Sequence, residues 1–218
     1  MRFWRQEPQR VIFMFGDLPA GLALSLVSKG VASAIKWVAQ LDGLTQYWQL
    51  SEPIVIPENV DFRLTQTFSG VNDSFEGLLD STDGSFWLRL MPTSQSNNIQ
   101  AFLGAAYTSE IPHSTINLRD GNYHTLTFAR VSGVIHVIYD GVTSIANTNN
   151  SAFNIHRMAR FSTAEFEGVY KEFEVEIDGV ITNQIPLTNK AQGATQLATV
   201  GNINAFMPNY TEAVWRKP

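Results

Sequence analysis

Between residues 120 and 141 the chain alternates apolar and polar side chains between turn-forming dipeptides, and few folds accommodate that pattern. Asp120-Gly121 opens the stretch. Leu126 and Phe128 then oppose Thr125 and Thr127 along Tyr123 to Val131. Ser132-Gly133 supplies a two-residue hairpin connection, Val134 to Tyr139 returns, and Asp140-Gly141 turns again. A period of two is the mark of a strand with one buried face.

The same period recurs elsewhere. Phe62, Leu64, Gln66 and Phe68 alternate with Arg63, Thr65 and Thr67. Phe86, Leu88 and Leu90 alternate with Trp87, Arg89 and Met91. Phe173, Val175 and Ile177 alternate with Glu172, Glu174, Glu176 and Asp178, with Gly179 closing the run. Shorter strand candidates lie at Ile35 to Ala39, Tyr47 to Leu50, Ile54 to Ile56 and Ile99 to Leu103. No helical period longer than two turns follows residue 35. The expectation is an all-β, antiparallel β-sandwich of the jelly-roll kind over residues 35–218.

Composition agrees and excludes several chemistries. Hydrophobic residues make up 44% of the 218 and charged residues 16%, enough apolar content for a core without a metal or disulfide. The absence of cysteine removes thiolate zinc sites and cysteine nucleophiles together. With a formal charge of −5 and no cluster of cations, a nucleic-acid partner is not expected.

Residues 1–34 have a different character. Arg2, Arg5 and Arg10 precede the apolar run Val11 to Phe15, and a second run spans Leu22 to Val27. A basic start and Ala32-Ser33-Ala34 have the look of a secretory leader, but Glu7, Pro8, Asp17 and Pro19 interrupt it. Asp17 also argues against a membrane span, since it would cost roughly 3 kcal/mol near the bilayer centre. The expectation is an N-terminal apolar arm that docks on a partner through Phe3, Trp4, Ile12, Phe13 and Phe15. Each such side chain gains roughly 2 kcal/mol on burial.

A family resemblance joins these elements. Asp120 to Arg130, followed by Val137-Ile138-Tyr139-Asp140-Gly141, resembles the central hairpin of laminin-G-like, concanavalin A-like domains. Leu41-Asp42-Gly43 with Tyr47 and Leu50 resembles the family's first strand pair. Phe166-Glu167-Gly168 before Val169 to Ile177 resembles its late, acidic strand. The resemblance covers roughly residues 35 to 185 and implies two packed antiparallel sheets without fixing a function. The tail from Gly201-Asn202 to Trp215 resembles endings of bacteriophage versions of this fold.

Three candidate sites follow. Glu172, Glu174 and Glu176 share one strand face, and laminarinase-type glycoside hydrolases of this sandwich carry Glu-x-Asp-x-Glu on such a strand. Retaining hydrolysis needs two carboxyls about 5 Å apart, and Glu174 stands where those enzymes have Asp. An ordinary half-exposed strand explains the pattern as well. Trp87 and Arg89, opposite the Phe86 face, and Tyr107 in a polar-flanked segment are carbohydrate-binding candidates, because sugars need aromatics beside polar groups. Calcium, which the resemblance makes possible, would draw on Asp73, Asp80 and Asp83, yet Asp80 to Gly84 also reads as a plain turn. No residue maps onto a ligand of the family's metal, and no cofactor is expected. His124 reads as structural, since no triad spacing surrounds it.

The functional expectation is a non-enzymatic structural or attachment protein of a tailed-bacteriophage virion. It would be anchored by the arm to capsid or tail proteins and present in many copies on the extracellular particle, with a host glycan as a further partner. The alternative is a carbohydrate-binding module of a bacterial surface or secreted protein. A glycoside hydrolase using Glu172, Glu174 and Glu176 ranks third.

Overall fold

The computed structural model describes residues 37–95, 98–104, 106–112 and 117–218. The proposed docking residues Phe3, Trp4, Ile12, Phe13 and Phe15 lie outside the described residues. In chain order the first strands are β1 Val38–Asp42, β2 Trp48–Ile56, β3 Phe62–Gly70, β4 Glu76–Asp80, β5 Phe86–Leu90 and β6 Asn98–Leu103. Next come β7 Ala106–Pro112, β8 His124–Val131, β9 Val134–Tyr139, β10 Val142–Thr148, β11 Phe153–Met158, β12 Arg160–Phe161 and β13 Ala164–Glu165. The last are β14 Glu167–Ile177, β15 Val180–Pro186, β16 Thr195–Gln196, β17 Ala205–Phe206 and β18 Trp215–Arg216.

They form two packed sheets and one small ribbon, so the all-β antiparallel sandwich stands. One sheet is ordered β10-β9-β8-β3-β14-β1-β18, with β15 pairing the later half of β14. The other is ordered β16-β17-β2-β11-β4-β5-β6-β7. The ribbon is β12 with β13. Among the described residues every strand pairing is antiparallel.

Alternation decides which side chains face inward. Phe62, Leu64, Gln66 and Phe68 of β3 and Leu126 and Phe128 of β8 are buried. From the opposite sheet come Phe86, Leu88 and Leu90 of β5 with Phe153 and Ile155 of β11. Four rings tie the layers together. Phe62 meets Phe153 edge-on at 5.2 Å, Phe86 meets Phe153 at 4.5 Å, and Phe86 meets Phe128 at 5.7 Å. Each such pair contributes about 0.5–1.5 kcal/mol beyond its area burial.

Polar groups inside are matched. Arg130 is 1% exposed, and its guanidinium donates to the carbonyls of Pro57, Val60, Asn149 and Ser151. It thereby ties the β2–β3 loop to the β10–β11 loop. Glu76 is fully buried beside Arg119, at 3.3 Å, and accepts from the Glu167 amide. Burial pushes its carboxyl up to about 7, against the pull of those partners.

His124 joins the two Asp-Gly turns of the opening motif. Its Nδ1 lies 2.6 Å from Asp140 and its Nε2 2.9 Å from Asp120. Two carboxylate acceptors require both nitrogens to donate, which favours the imidazolium. Burial lowers its affinity for the proton, but the bonds to Asp140 and Asp120 outweigh that, and its pKa is raised. Asn122 and His124 in turn hold Asp120 down at about 2. The structural reading of His124 fits this geometry.

Two outcomes follow. Phe153→Ala should lower unfolding free energy by about 3–5 kcal/mol in urea titrations, because the void faces rings from both sheets. Stability should also fall as pH rises from 5 to 8, because Glu76 and His124 both bind protons more tightly when folded. The Glu76 part is lost between about 4.5 and 7. The His124 part is complete below its unfolded value of about 6.5 and is lost above it. His124→Gln should remove only the slope above that value; an unchanged slope there would refute the assignment.

Candidate functional site: the outer face of the β4–β5–β6 sheet

Because Phe86, Leu88 and Leu90 point inward, Trp87 and Arg89 of β5 must point outward. Register places Trp87 opposite Phe102 of β6 and Arg89 opposite Gln100. Trp87 stacks on Phe102 with centroids 5.9 Å apart and planes within 13°. Arg89 donates from Nε and Nη2 to a single atom, Gln100 Oε1, at 3.0 and 2.7 Å. Its guanidinium carbon lies 4.6 Å from the Trp87 ring centre and 5.1 Å from those of both Phe75 and Phe161.

Phe161 reaches this face through the ribbon of β12 and β13, which lies across β4. A Cβ on Gly77 would sit 2.0 Å from the Phe161 amide nitrogen and 2.1 Å from the Arg160 carbonyl carbon. Only glycine allows the ribbon to rest there. Ala159 and Ser162 adopt left-handed φ of 62° and 52°, each costing of order 1 kcal/mol or more. These turns set Phe161 against Trp87, with centroids 5.0 Å apart.

The ribbon divides the face. On one side a groove of about 320 Å³ is lined by Phe75, Arg89, Phe161, Ser162, Thr163 and Ala164. On the other a groove of about 360 Å³ is bordered by Asp80, Ser81, Thr82, Trp87, Arg157 and Phe161, among others. Asp80 and Arg157 close the second groove with a two-pronged pair at 2.7 and 2.5 Å. Burial raises the Asp80 carboxyl despite that pairing. The result is aromatic walls beside fixed donors and acceptors, in shallow clefts open to solvent. Such a surface can stack a ring and hydrogen-bond its substituents.

The sequence candidates fare differently. Trp87 and Arg89 come together here, but the Trp87 ring is already engaged by Phe102, Phe161 and Arg89. It braces the patch, and Phe75 and Phe161 are the rings beside Arg89 in the first groove. Both were missed: Phe75 precedes a strand without alternation, and Phe161 sits in a two-residue strand. Tyr107 stands opposite Phe102 in backbone register, and its side chain lies outside the described residues. Glu172, Glu174 and Glu176 lie on the outer face of the other sheet. Gln184 Nε2 donates to Glu172 at 3.1 Å and to Glu174 at 3.0 Å, while Glu176 pairs with Arg63 at 3.7 Å.

The calcium candidates are corrected in one respect. Asp80 is a buried strand residue held by Arg157, not part of the turn read from Asp80 to Gly84. Asp73 accepts from Thr93, and Asp83 accepts from Ser85 and Asn154. Among the described residues no three metal-ligating side chains converge.

No protein-family model matches the chain, and no curated protein matches it in sequence. Solved structures share its fold. A candidate carbohydrate-binding protein from Bacteroides ovatus superposes with a TM-score of 0.50 at 11% identity, over 80% of this chain and 60% of that one. The LG1-3 region of the laminin α2 chain gives 0.50 at 16% identity, over 78% and 30%. A heptameric pentraxin from Limulus polyphemus gives 0.49 at 12%, over 64% and 75%. The chain therefore has the concanavalin A-like, laminin-G-like sandwich fold. At these identities the likeness extends to the fold alone.

Gly77→Val should lift the ribbon off β4. The expected signs are a loss of about 1–3 kcal/mol in stability and a red shift of Trp87 emission, measured against a Trp87→Phe control. Unchanged emission would mean that Phe161 does not depend on this contact.

Proposed function

We propose that the domain is a non-catalytic carbohydrate-binding module whose ligand lies across the outer face of the β4–β5–β6 sheet. One observation carries the reading. Four aromatic side chains, Phe75, Trp87, Phe102 and Phe161, gather on the solvent side of a sheet whose inner face already has its core. Burial in the sandwich does not account for them. Rings on an outer face, beside hydroxyls and a guanidinium in an open groove, suit a sugar's apolar C–H face and polar rim.

The carbohydrate-binding description attached to the Bacteroides ovatus structure supports the same choice at the level of the fold. The virion reading rests on residues 1–34 and the tail resemblance, and no comparison adds a bacteriophage link to it. The hydrolase reading has less support, because Glu172 and Glu174 share one Gln184 amide and Glu176 is paired with Arg63.

Titration against a panel of oligosaccharides should give saturable binding, which Phe75→Ala and Phe161→Ala each weaken at least tenfold. Phe75→Ala should leave the unfolding midpoint nearly unchanged, whereas Phe161→Ala should also lower it, because that ring holds the ribbon against Trp87 and Arg89. Glu172→Gln should bind as the parent does, and no reducing ends should appear during incubation. Binding lost on Glu172→Gln but kept by Phe161→Ala would move the site to the other sheet, and release of reducing ends would overturn the non-catalytic reading.

A further inference from the structure

Arg89 holds an unusual position among the described arginines. Arg63, Arg119, Arg157 and Arg160 each have a carboxylate within 4 Å. Arg130 has none, but four backbone carbonyls occupy its guanidinium. Arg89 has neither arrangement. Among the described residues its only hydrogen-bond partner is Gln100 Oε1, which takes the side edge formed by Nε and Nη2.

A guanidinium carries five N–H donors on two edges. Gripping one oxygen with the side edge leaves the end edge whole, one hydrogen of Nη1 beside the second hydrogen of Nη2, while the other Nη1 hydrogen points back toward Cδ. That end edge is a fork of the width and planarity that a carboxylate accepts in two parallel bonds. The fork is also held still. Gln100 anchors one side, and the rings of Phe75, Trp87 and Phe161 surround the cation within 5.1 Å, so little side-chain freedom remains to be lost on binding. It lines the same groove as Phe75, Phe161, Ser162 and Thr163. The formal charge of −5 is no obstacle at this range, since physiological salt screens charges more than about 8 Å apart.

We propose that this groove recognises an acidic saccharide, a hexuronate whose ring packs on Phe75 and Phe161 and whose carboxylate docks on the free edge of Arg89. The inference rests on the carbohydrate-binding reading and adds the charge and the orientation of the ligand. Gln100 is then a positioning residue that turns the fork toward the groove.

The test compares galacturonate and glucuronate with galactose and glucose, by calorimetry or saturation-transfer NMR on the whole chain. Uronates should bind at least tenfold tighter than their neutral counterparts, and the preference should shrink in 0.5 M NaCl. Arg89→Gln should abolish the preference without abolishing neutral-sugar binding. Arg89→Lys keeps the charge but has no fork, and should keep less than half of the preference in logarithmic terms. Near-unchanged circular dichroism of both variants is required. Equal binding of uronates and neutral sugars, or a preference that survives Arg89→Gln, overturns this inference and leaves the carbohydrate reading intact. Tighter binding of galactose 6-sulfate than of galacturonate also overturns it, because the fork would then be taking a tetrahedral anion. So does acetate binding as tightly as galacturonate, because the ring would then contribute nothing. No binding of any sugar overturns the carbohydrate reading and this inference together.

Discussion

The packing of Phe62, Phe86, Phe128 and Phe153 between the layers is the constraint on which the rest depends. Strand side chains alternate strictly, so burying one residue of β5 commits its neighbours to the outer face. Once Phe86 and Leu88 are in the core, Trp87 and Arg89 have no other side to occupy. Shifting β5 by a single residue would exchange the two sets, putting a cation into the core and Phe86, Leu88 and Leu90 into water. The burial of Phe86 and Leu88 therefore holds the candidate face in register from the opposite side of the sheet.

A second layer of control comes from β4. Gly77 leaves a shelf on which the β12–β13 ribbon lies, and the strain at Ala159 and Ser162 is offset by the packing of Phe161 against Trp87 and Arg89. The Asp80–Arg157 pair belongs to the same device, since Asp80 also accepts from the Ser162 amide. Glycine, ion pair and ribbon together turn a flat sheet face into two grooves. A flat face would offer stacking but little orientation, and the ribbon supplies walls.

Much of this was legible along the chain. The hairpin from Thr125 to Tyr139, the alternation of β3, β5 and β14, and the turns at Ser132-Gly133, Asp140-Gly141 and Asp178-Gly179 follow from local chemistry. The strand β4 does not, because Glu76-Gly77-Leu78-Leu79-Asp80 is covered on both faces and has no period of two to display. Its outer cover is the ribbon, which starts some 80 residues later in the chain. The strands β11 and β15 contain bulges or short pairings that blur the alternation. Of the site, Trp87 and Arg89 were visible as outward residues, while Phe75 and Phe161 were not.

What the amino-acid order determined by itself is the alternation, the turn positions and hence a two-sheet antiparallel body, because strand period and turn stereochemistry act over a few neighbouring residues. What only the tertiary structure decided is the neighbourhood: Phe161 on Trp87, Arg89 held by Gln100 with one edge free, and His124 between two aspartates. Those contacts join positions from 4 residues apart, for His124 and Asp120, to 74 apart, for Trp87 and Phe161. Their geometry depends on how the sheets and the ribbon close, which no local pattern records.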